Sequence, residues 1–204
     1  TFTFIIMWDT LYQHLRPYFQ SPDQILEHVE SGFSILDIGC GYGELCASIS
    51  AQKSPSKIIG IDHDAHKIQT AQIRYKNIPN IQFEIANLEI LTNIEQHTVL
   101  IIDVLHYLSK QDQIDLLSKI SASDHVHKII ARDIIKAYHP AYYLNHFHEF
   151  VMTRTGRTKV SQTQFAFSTK TQWHQIAASI NMNITIEKSG LPFYNDHLII
   201  FTKP

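Results

Sequence analysis

The 204-residue sequence predicts an α/β protein: a largely parallel sheet with helices covering both faces. Three observations carry that expectation. Short apolar runs at Ile35–Ile38, Lys57–Ile61, Ile81–Ile85, Val99–Asp103 and Lys128–Ala131 alternate with segments of helical period. The first run enters a turn with three glycines in five residues, Gly39-Cys40-Gly41-Tyr42-Gly43, which then opens a helix. Late in the chain, Ile184–Glu187 and Leu198–Phe201 flank a loop containing Gly190 and Pro192, as in an antiparallel pair.

Taken in order, residues 1–33 read as a helical preface. Leu11, Leu15, Tyr18 and Phe19 recur at helical spacing. Ser21-Pro22-Asp23-Gln24 predicts a helix start, with Ser21 as N-cap and Pro22 at the first helical position. Ile25, Leu26 and Val29 form its apolar stripe, and Gly32 ends it. The helix after the glycine turn offers Leu45, Ala47, Ile49 and Ala51 for packing; the next offers Ala65, Ile68 and Ala71. Ile114, Leu117 and Ile120 mark a helix before the fifth strand, which closes at Arg132-Asp133.

The alternation stops between Tyr138 and Lys170. The first half of this stretch is dense in Tyr, His and Phe; residues 151–170 hold Arg154, Arg157, Lys159 and Lys170 and no acid. Between the fifth and sixth strands, such a segment is expected to overhang the sheet's carboxyl end as a cap, its aromatics shaping an acceptor site and its cations steering an anion. Ser168 or Thr169 then caps a helix holding Trp173, Ile176 and Ala177. With no repeat and no low-complexity linker, residues 1–204 are expected to form one domain.

Composition narrows the classes. The net charge is −2, which lacks the basic footprint of a general nucleic-acid binder. Apolar runs fall short of the roughly 20 residues of a membrane span. Thr1–Trp8 is apolar but has neither a basic leader nor a small-residue cleavage site; it also has no initiator Met, which leaves room for residues before Thr1. Cys40 and Cys46, the only cysteines, are too few and too close for a disulfide framework, so a cytoplasmic setting is expected. His125-x-His127 and His146-x-His148-Glu149 have the look of paired metal ligands, but no third cluster with suitable spacing joins them, and no metal is expected.

The glycine turn and the strand after it point to a nucleotide. Glycines permit a sharp turn and close approach of a ligand to the backbone. A dinucleotide fingerprint would need a third glycine where Glu44 stands, which disfavours a nicotinamide-dependent oxidoreductase. Asp62 ends the second strand where βαβ nucleotide folds place an acid for the ribose hydroxyls; its competing role is that of a helix N-cap. The string Asp37-Ile38-Gly39-Cys40-Gly41-Tyr42-Gly43 resembles motif I of the class I S-adenosylmethionine (SAM)-dependent methyltransferases, and Gly60-Ile61-Asp62-His63-Asp64 resembles their second motif.

That resemblance, specific over residues 33–135, implies a Rossmann-like, doubly wound seven-stranded sheet of order 3-2-1-4-5-7-6 with strand seven antiparallel. It implies SAM as cofactor and S-adenosylhomocysteine as product, held by Asp37, Gly39, Cys40, Gly41, Gly43, Asp62, His63, Asn87, Leu88 and Asp103. Asn87 stands where many relatives carry Asp against the adenine amino group; its carbonyl still accepts, without charge assistance. The family has no universal catalytic residue. His106, just after the fourth strand, is the candidate base, and its alternative role is to order the helix start. Tyr107, Arg132, Tyr143, His146 and His148 are candidate substrate contacts, with Tyr107 equally suited to the core. The segment Asp103-Val104-Leu105-His106-Tyr107-Leu108, a glutamine ahead of Leu116-Leu117, and Arg132-Asp133 look like methyltransferases found with bacterial lipid or aryl-polyene assembly enzymes. The implied partner is a small-molecule acceptor, lipid-like, anionic or carried on a protein. A catalytically inactive SAM-binding partner or regulator is the alternative.

Overall fold

The computed structural model describes residues 22–88, 91, 93–137, 143, 165–190 and 195–204. Its elements run α1 (Asp23–His28), β1 (Ile35–Ile38), α2 (Glu44–Lys53), β2 (Ile58–Asp62), α3 (Ala65–Arg74), β3 (Ile81–Ile85) and β4 (Thr98–Ile102). A 3-10 turn (Leu105–Tyr107) leads to α4 (Lys110–Ser121), β5 (Lys128–Ile134), α5 (Lys170–Ser179), β6 (Asn183–Lys188) and β7 (Asp196–Thr202).

The seven strands form one sheet of order β3-β2-β1-β4-β5-β7-β6. Pairs β1–β2, β1–β4, β2–β3 and β4–β5 are parallel, whereas β7 runs antiparallel to both β5 and β6. This is the predicted order. The central strands β1 and β4 are covered on both faces, which is why they read as near-continuous apolar runs, interrupted only by the buried Asp37 and Thr98, rather than as alternating ones. β3, at the edge, buries only Phe83.

Period-two geometry divides the interior into two layers. Leu36, Ile38, Val99, Ile101, Ile129, Ala131, Ile199 and Phe201 pack with α4 and α5 through Leu117, Ile120, Trp173 and Ile176. The other face of the same strands presents Ile35, Ile58, Leu100, Ile130, Leu198 and Ile200 to α1, α2 and α3. The crossover after β1 places α2 on one face and that after β4 places α4 on the other, so the segments following these two paired strands leave their carboxyl ends towards opposite faces. That is where a crevice opens in a sheet of this kind.

Local differences from the sequence expectations have identifiable causes. α1 starts at Asp23 with Pro22 itself as the N-cap, its carbonyl accepting Leu26 N–H at 2.9 Å; Ser21 lies outside the described residues. The helix closes at His28, when Val29 N–H turns back to Leu26 O, so Gly32 (φ 82°) belongs to the next turn. α2 buries Cys46 and Ile49 while Ala51 is exposed, and α3 buries Ile68 and Ala71 but exposes Ala65. The cap of α3 is Asp64, which accepts His66 N–H at 3.0 Å. Asp62 is thereby left to another role. Thr169 caps α5 in a reciprocal capping box with Gln172.

Candidate active site

The glycine turn is built by three different constraints. Gly39 has φ 77°, and a Cβ there would lie 2.4 Å from Val104 Cγ2. Gly43 has φ 80°, and its Cβ would lie 2.4 Å from Phe83 Cζ. Both glycines are therefore demanded by the fold's own packing. Gly41 (φ 57°) differs: a Cβ there would meet no atom within 4 Å. Its backbone faces open space at the switch point. The turn is pinned from below, since Gly39 and Cys40 N–H both donate to Ile61 O at 2.8 and 3.0 Å.

Two carboxylates support this turn. Asp62, 6% exposed, accepts Gly41 N–H at Oδ2 (3.0 Å) and Asp64 N–H at Oδ1 (2.9 Å). His63 Nδ1 lies 3.3 Å from Asp62 Oδ1, with its ring half exposed. Asp37, on β1, is buried, and Cys46 Sγ donates to its Oδ2 at 3.2 Å. Burial pushes the Asp37 carboxyl up to about 6; the Cys46 thiol opposes the rise and the neighbouring charge of Asp62 adds to it. Burial also raises both cysteine thiols, so neither is an activated nucleophile. Beyond β3, Asn87 is exposed, Leu88 half-buried, and Ala86 N–H ties this segment to Asp62 O at 3.1 Å.

The segment after β4 closes the other side. Asp103 holds a left-handed backbone (φ 57°), costly for a residue with a side chain. Arg132 secures it: Nε donates to Asp103 Oδ1 at 3.0 Å, Nη2 to Oδ2 at 2.5 Å, and Arg132 O accepts Asp103 N–H at 3.0 Å. Val104 then packs on Gly39, joining this segment to the glycine turn. His106 is 1% exposed, and its Nδ1 lies 2.8 Å from Asp133 Oδ1. The His106 ring stands 4.1 Å from Tyr107 and 5.4 Å from Phe167, centroid to centroid.

Residues 165–168 cross over His106 as a strap. Ala166 N–H donates to His106 O at 2.9 Å, while Ala166 O accepts both Lys110 Nζ (2.7 Å) and Gln113 Nε2 (2.8 Å). Lys110 also bonds Ser168 Oγ, and Ser168 O accepts Lys136 N–H at 2.9 Å. Burial lowers the Lys110 ammonium to about 8; the Asp133 charge opposes this and Lys136 adds to it.

Asp37, Gly39, Cys40, Gly41, Gly43, Asp62, His63, Asn87, Leu88 and Asp103 thus lie at or just past the carboxyl ends of β1 to β4. Arg132 and Tyr107 stand near them. Tyr143 is 59% exposed, and His146, His148 and most of the expected cap lie outside the described residues. Among the described residues no group of three His, Cys, Asp or Glu could hold a metal ion. Sequence reading gave no site role to Cys46, Lys110, Gln113 or Asp133, naming Cys46 only as one of two cysteines and Asp133 only within the Arg132-Asp133 pair. Strand parity turns Asp133 away from Arg132, towards the layer containing α4.

Fold and topology together define a doubly wound α/β protein whose switch point lies between β1 and β4. The sequence model of the methyltransferase-domain family matches residues 35–123, a little under half of the chain. A putative methyltransferase, 235L, of Invertebrate iridescent virus 6 is 33% identical over 61 residues, 30% of this chain and 22% of that protein. An uncharacterised 37.1 kDa protein in transposon TN4556 of Streptomyces fradiae is 34% identical over 61 residues, 29% of this chain and 18% of that protein. The match thus spans about a fifth of these curated relatives. In fold, the chain is similar to the magnesium protoporphyrin IX methyltransferase of Synechocystis solved with S-adenosylhomocysteine: TM-score 0.71, 17% identity, 99% of this chain and 95% of that one. Human N-acetylserotonin methyltransferase in complex with SAM gives TM-score 0.69 at 19% identity, over 89% of this chain and 51% of that one. Among the described residues no helix is long and apolar enough to cross a membrane.

Proposed function

We propose that the chain binds SAM in the β1–β4 crevice and transfers its methyl group to a small-molecule acceptor. The observation that carries this reading is the contrast among the glycines. Gly39 and Gly43 are filled by the fold, whereas Gly41 opens outward directly above the Asp62 carboxylate. In this reading Asp62 accepts the ribose hydroxyls, the Gly39–Gly43 backbone lies along the cofactor, and His63, Asn87 and Leu88 border the adenine. Asp37, Cys40 and Asp103 complete the floor and far wall.

Bound there, SAM supplies a methyl group that already carries its leaving group. The chain must then align the acceptor, exclude water and take up the acceptor's proton. His106 is the proposed base, taking that proton at Nε2. It is 1% exposed under the 165–168 strap, so acceptor entry requires the strap to lift. Tyr107 and Phe165, both half-buried with ring centroids 5.9 Å apart, supply flat apolar surface beside it. Cations at Arg154, Arg157 and Lys159 fit an anionic or carrier-bound acceptor. The burial of His106 also favours a second reading, a SAM-binding partner subunit without transfer.

Calorimetry with SAM and with NAD tests the cofactor: SAM should bind and NAD should not. A labelled-methyl assay on phenols and carboxylic acids then separates enzyme from inactive partner. For an active enzyme, His106→Ala should lower kcat at least tenfold while leaving SAM affinity within about threefold, roughly 0.65 kcal/mol. Wild-type turnover in that variant across pH 6–9 would remove His106 as the base.

A further inference from the structure

We infer that Asp133 is the positioning residue of the site, fixing the His106 ring with its proton on Nδ1 and its lone pair on Nε2. The inference rests on the methyltransferase reading and deepens it. Asp133 Oδ1 accepts Ile134 N–H at 2.7 Å. A carboxylate oxygen carries lone pairs and no proton, so it accepts from each of its partners. His106 Nδ1, 2.8 Å from the same oxygen, must then be the donor. When the imidazole is neutral, its one lone pair resides on Nε2. That nitrogen is the one able to take a proton from an acceptor hydroxyl, and Asp133 stabilises the imidazolium that results.

The placement follows from strand geometry. Arg132 and Asp133 are consecutive on β5 and point to opposite faces of the sheet. Arg132 clamps Asp103 on one side, and Asp133 holds His106 three residues later on the other. Two adjacent β5 side chains thus fix both ends of the turn that follows β4. Among the described residues, the other ionisable groups near the pair include Tyr107 on the same turn, Lys110 at the start of α4 and Lys136 beyond β5. Lys110 and Lys136 are cations, whereas Asp133, in hydrogen-bond contact with Nδ1, is an anion placed to stabilise the protonated ring.

The test is ¹⁵N-histidine NMR on the free protein and on its complex with S-adenosylhomocysteine, with the His106 signal assigned by its loss in His106→Gln. The wild type should show the Nδ1–H tautomer. In Asp133→Asn, His106 should titrate at lower pH by about one unit, a tenfold weaker proton affinity. SAM affinity by calorimetry should stay the same. A role limited to bracing the turn would not move the titration. An Nε2–H tautomer in the wild type overturns the inference, even if Asp133→Asn fails to fold. So does an unchanged titration in a folded Asp133→Asn. Failure of the wild type to bind SAM, whatever the tautomer, overturns the methyltransferase reading and any catalytic use of the pair.

Discussion

The Asp62 carboxylate accepts Gly41 N–H through one oxygen and Asp64 N–H through the other, so it orders the glycine turn and the start of α3 together. Lone pairs remain for two hydroxyls, because each carboxylate oxygen accepts more than one donor. Asp62→Ala should weaken SAM binding by about 1.5–3 kcal/mol, roughly ten- to 150-fold, measured by calorimetry on protein whose fold is checked by circular dichroism. Unchanged affinity would falsify the ribose role. The glycines separate by the same logic. Gly43→Ala drives a methyl into Phe83 at a left-handed backbone and should lower stability by about 2–4 kcal/mol in urea unfolding. Gly41→Ala meets no neighbour and should lower stability by only about 1–2 kcal/mol, its backbone strain, while reducing SAM affinity. Equal stability losses in the two variants would contradict the packing distinction. The sequence announced a tight turn here, because glycine spacing is local information. It could not say which glycine faces open space and which faces Phe83 or Val104, since both contacts come from segments distant in sequence.

At the scale of elements, the strap over His106 is held by Gln113 as much as by the backbone. Gln113 is fully buried on α4, and the two protons of its Nε2 are shared among Leu105 O, Leu108 O and Ala166 O at 2.9, 3.2 and 2.8 Å. One side chain therefore links the 3-10 turn, the start of α4 and the strap. Gln113→Leu should lower stability by about 2 kcal/mol, since buried carbonyls lose a donor that a leucine cannot replace. Amide exchange at Ala166 should quicken more than at the centre of α5, a local opening. Uniform exchange across both would mean that the strap opens only with the whole molecule. Such a hub is invisible to pattern reading, because a glutamine in an amphipathic helix looks like surface. The strands were legible for the opposite reason. β1, β4 and β5 are buried on both faces, so each reads as a short stretch rich in consecutive apolar residues rather than an alternating one. α5 was legible from Thr169, Trp173, Ile176 and Ala177, whereas the start of α1 was misplaced because Pro22 fits either of two adjacent cap positions.

For the whole molecule, the two-layer interior creates a conflict at Asp37. Strand parity turns its side chain into the layer of α1, α2 and α3, where it is 2% exposed and its one hydrogen-bond partner among the described residues is the Cys46 thiol. Its carboxyl is raised from 3.8 to about 6, chiefly by burial. Between those values the folded chain binds more protons than the unfolded chain, so this group makes stability fall as pH rises from about 4 to about 6. Above pH 6 the penalty is complete, on the order of 3 kcal/mol for a shift of about two units. Lys110 acts in another window: lowered from 10.5 to about 8, it makes stability rise with pH above about 8, an effect moderated by its half-exposed position. Between pH 6 and 8 neither group adds a slope. Asp37→Asn removes the first contribution while keeping a carbonyl that can accept the Cys46 proton. The variant should therefore be more stable than the wild type at pH 7.5, and its advantage should shrink towards zero at pH 4, as read from urea midpoints at both values. A pH-independent difference would show that the carboxyl does not titrate in this range. If the stabilised variant also binds SAM more weakly, the buried charge is maintained for the crevice, where an anion beneath the turn favours a cationic ligand.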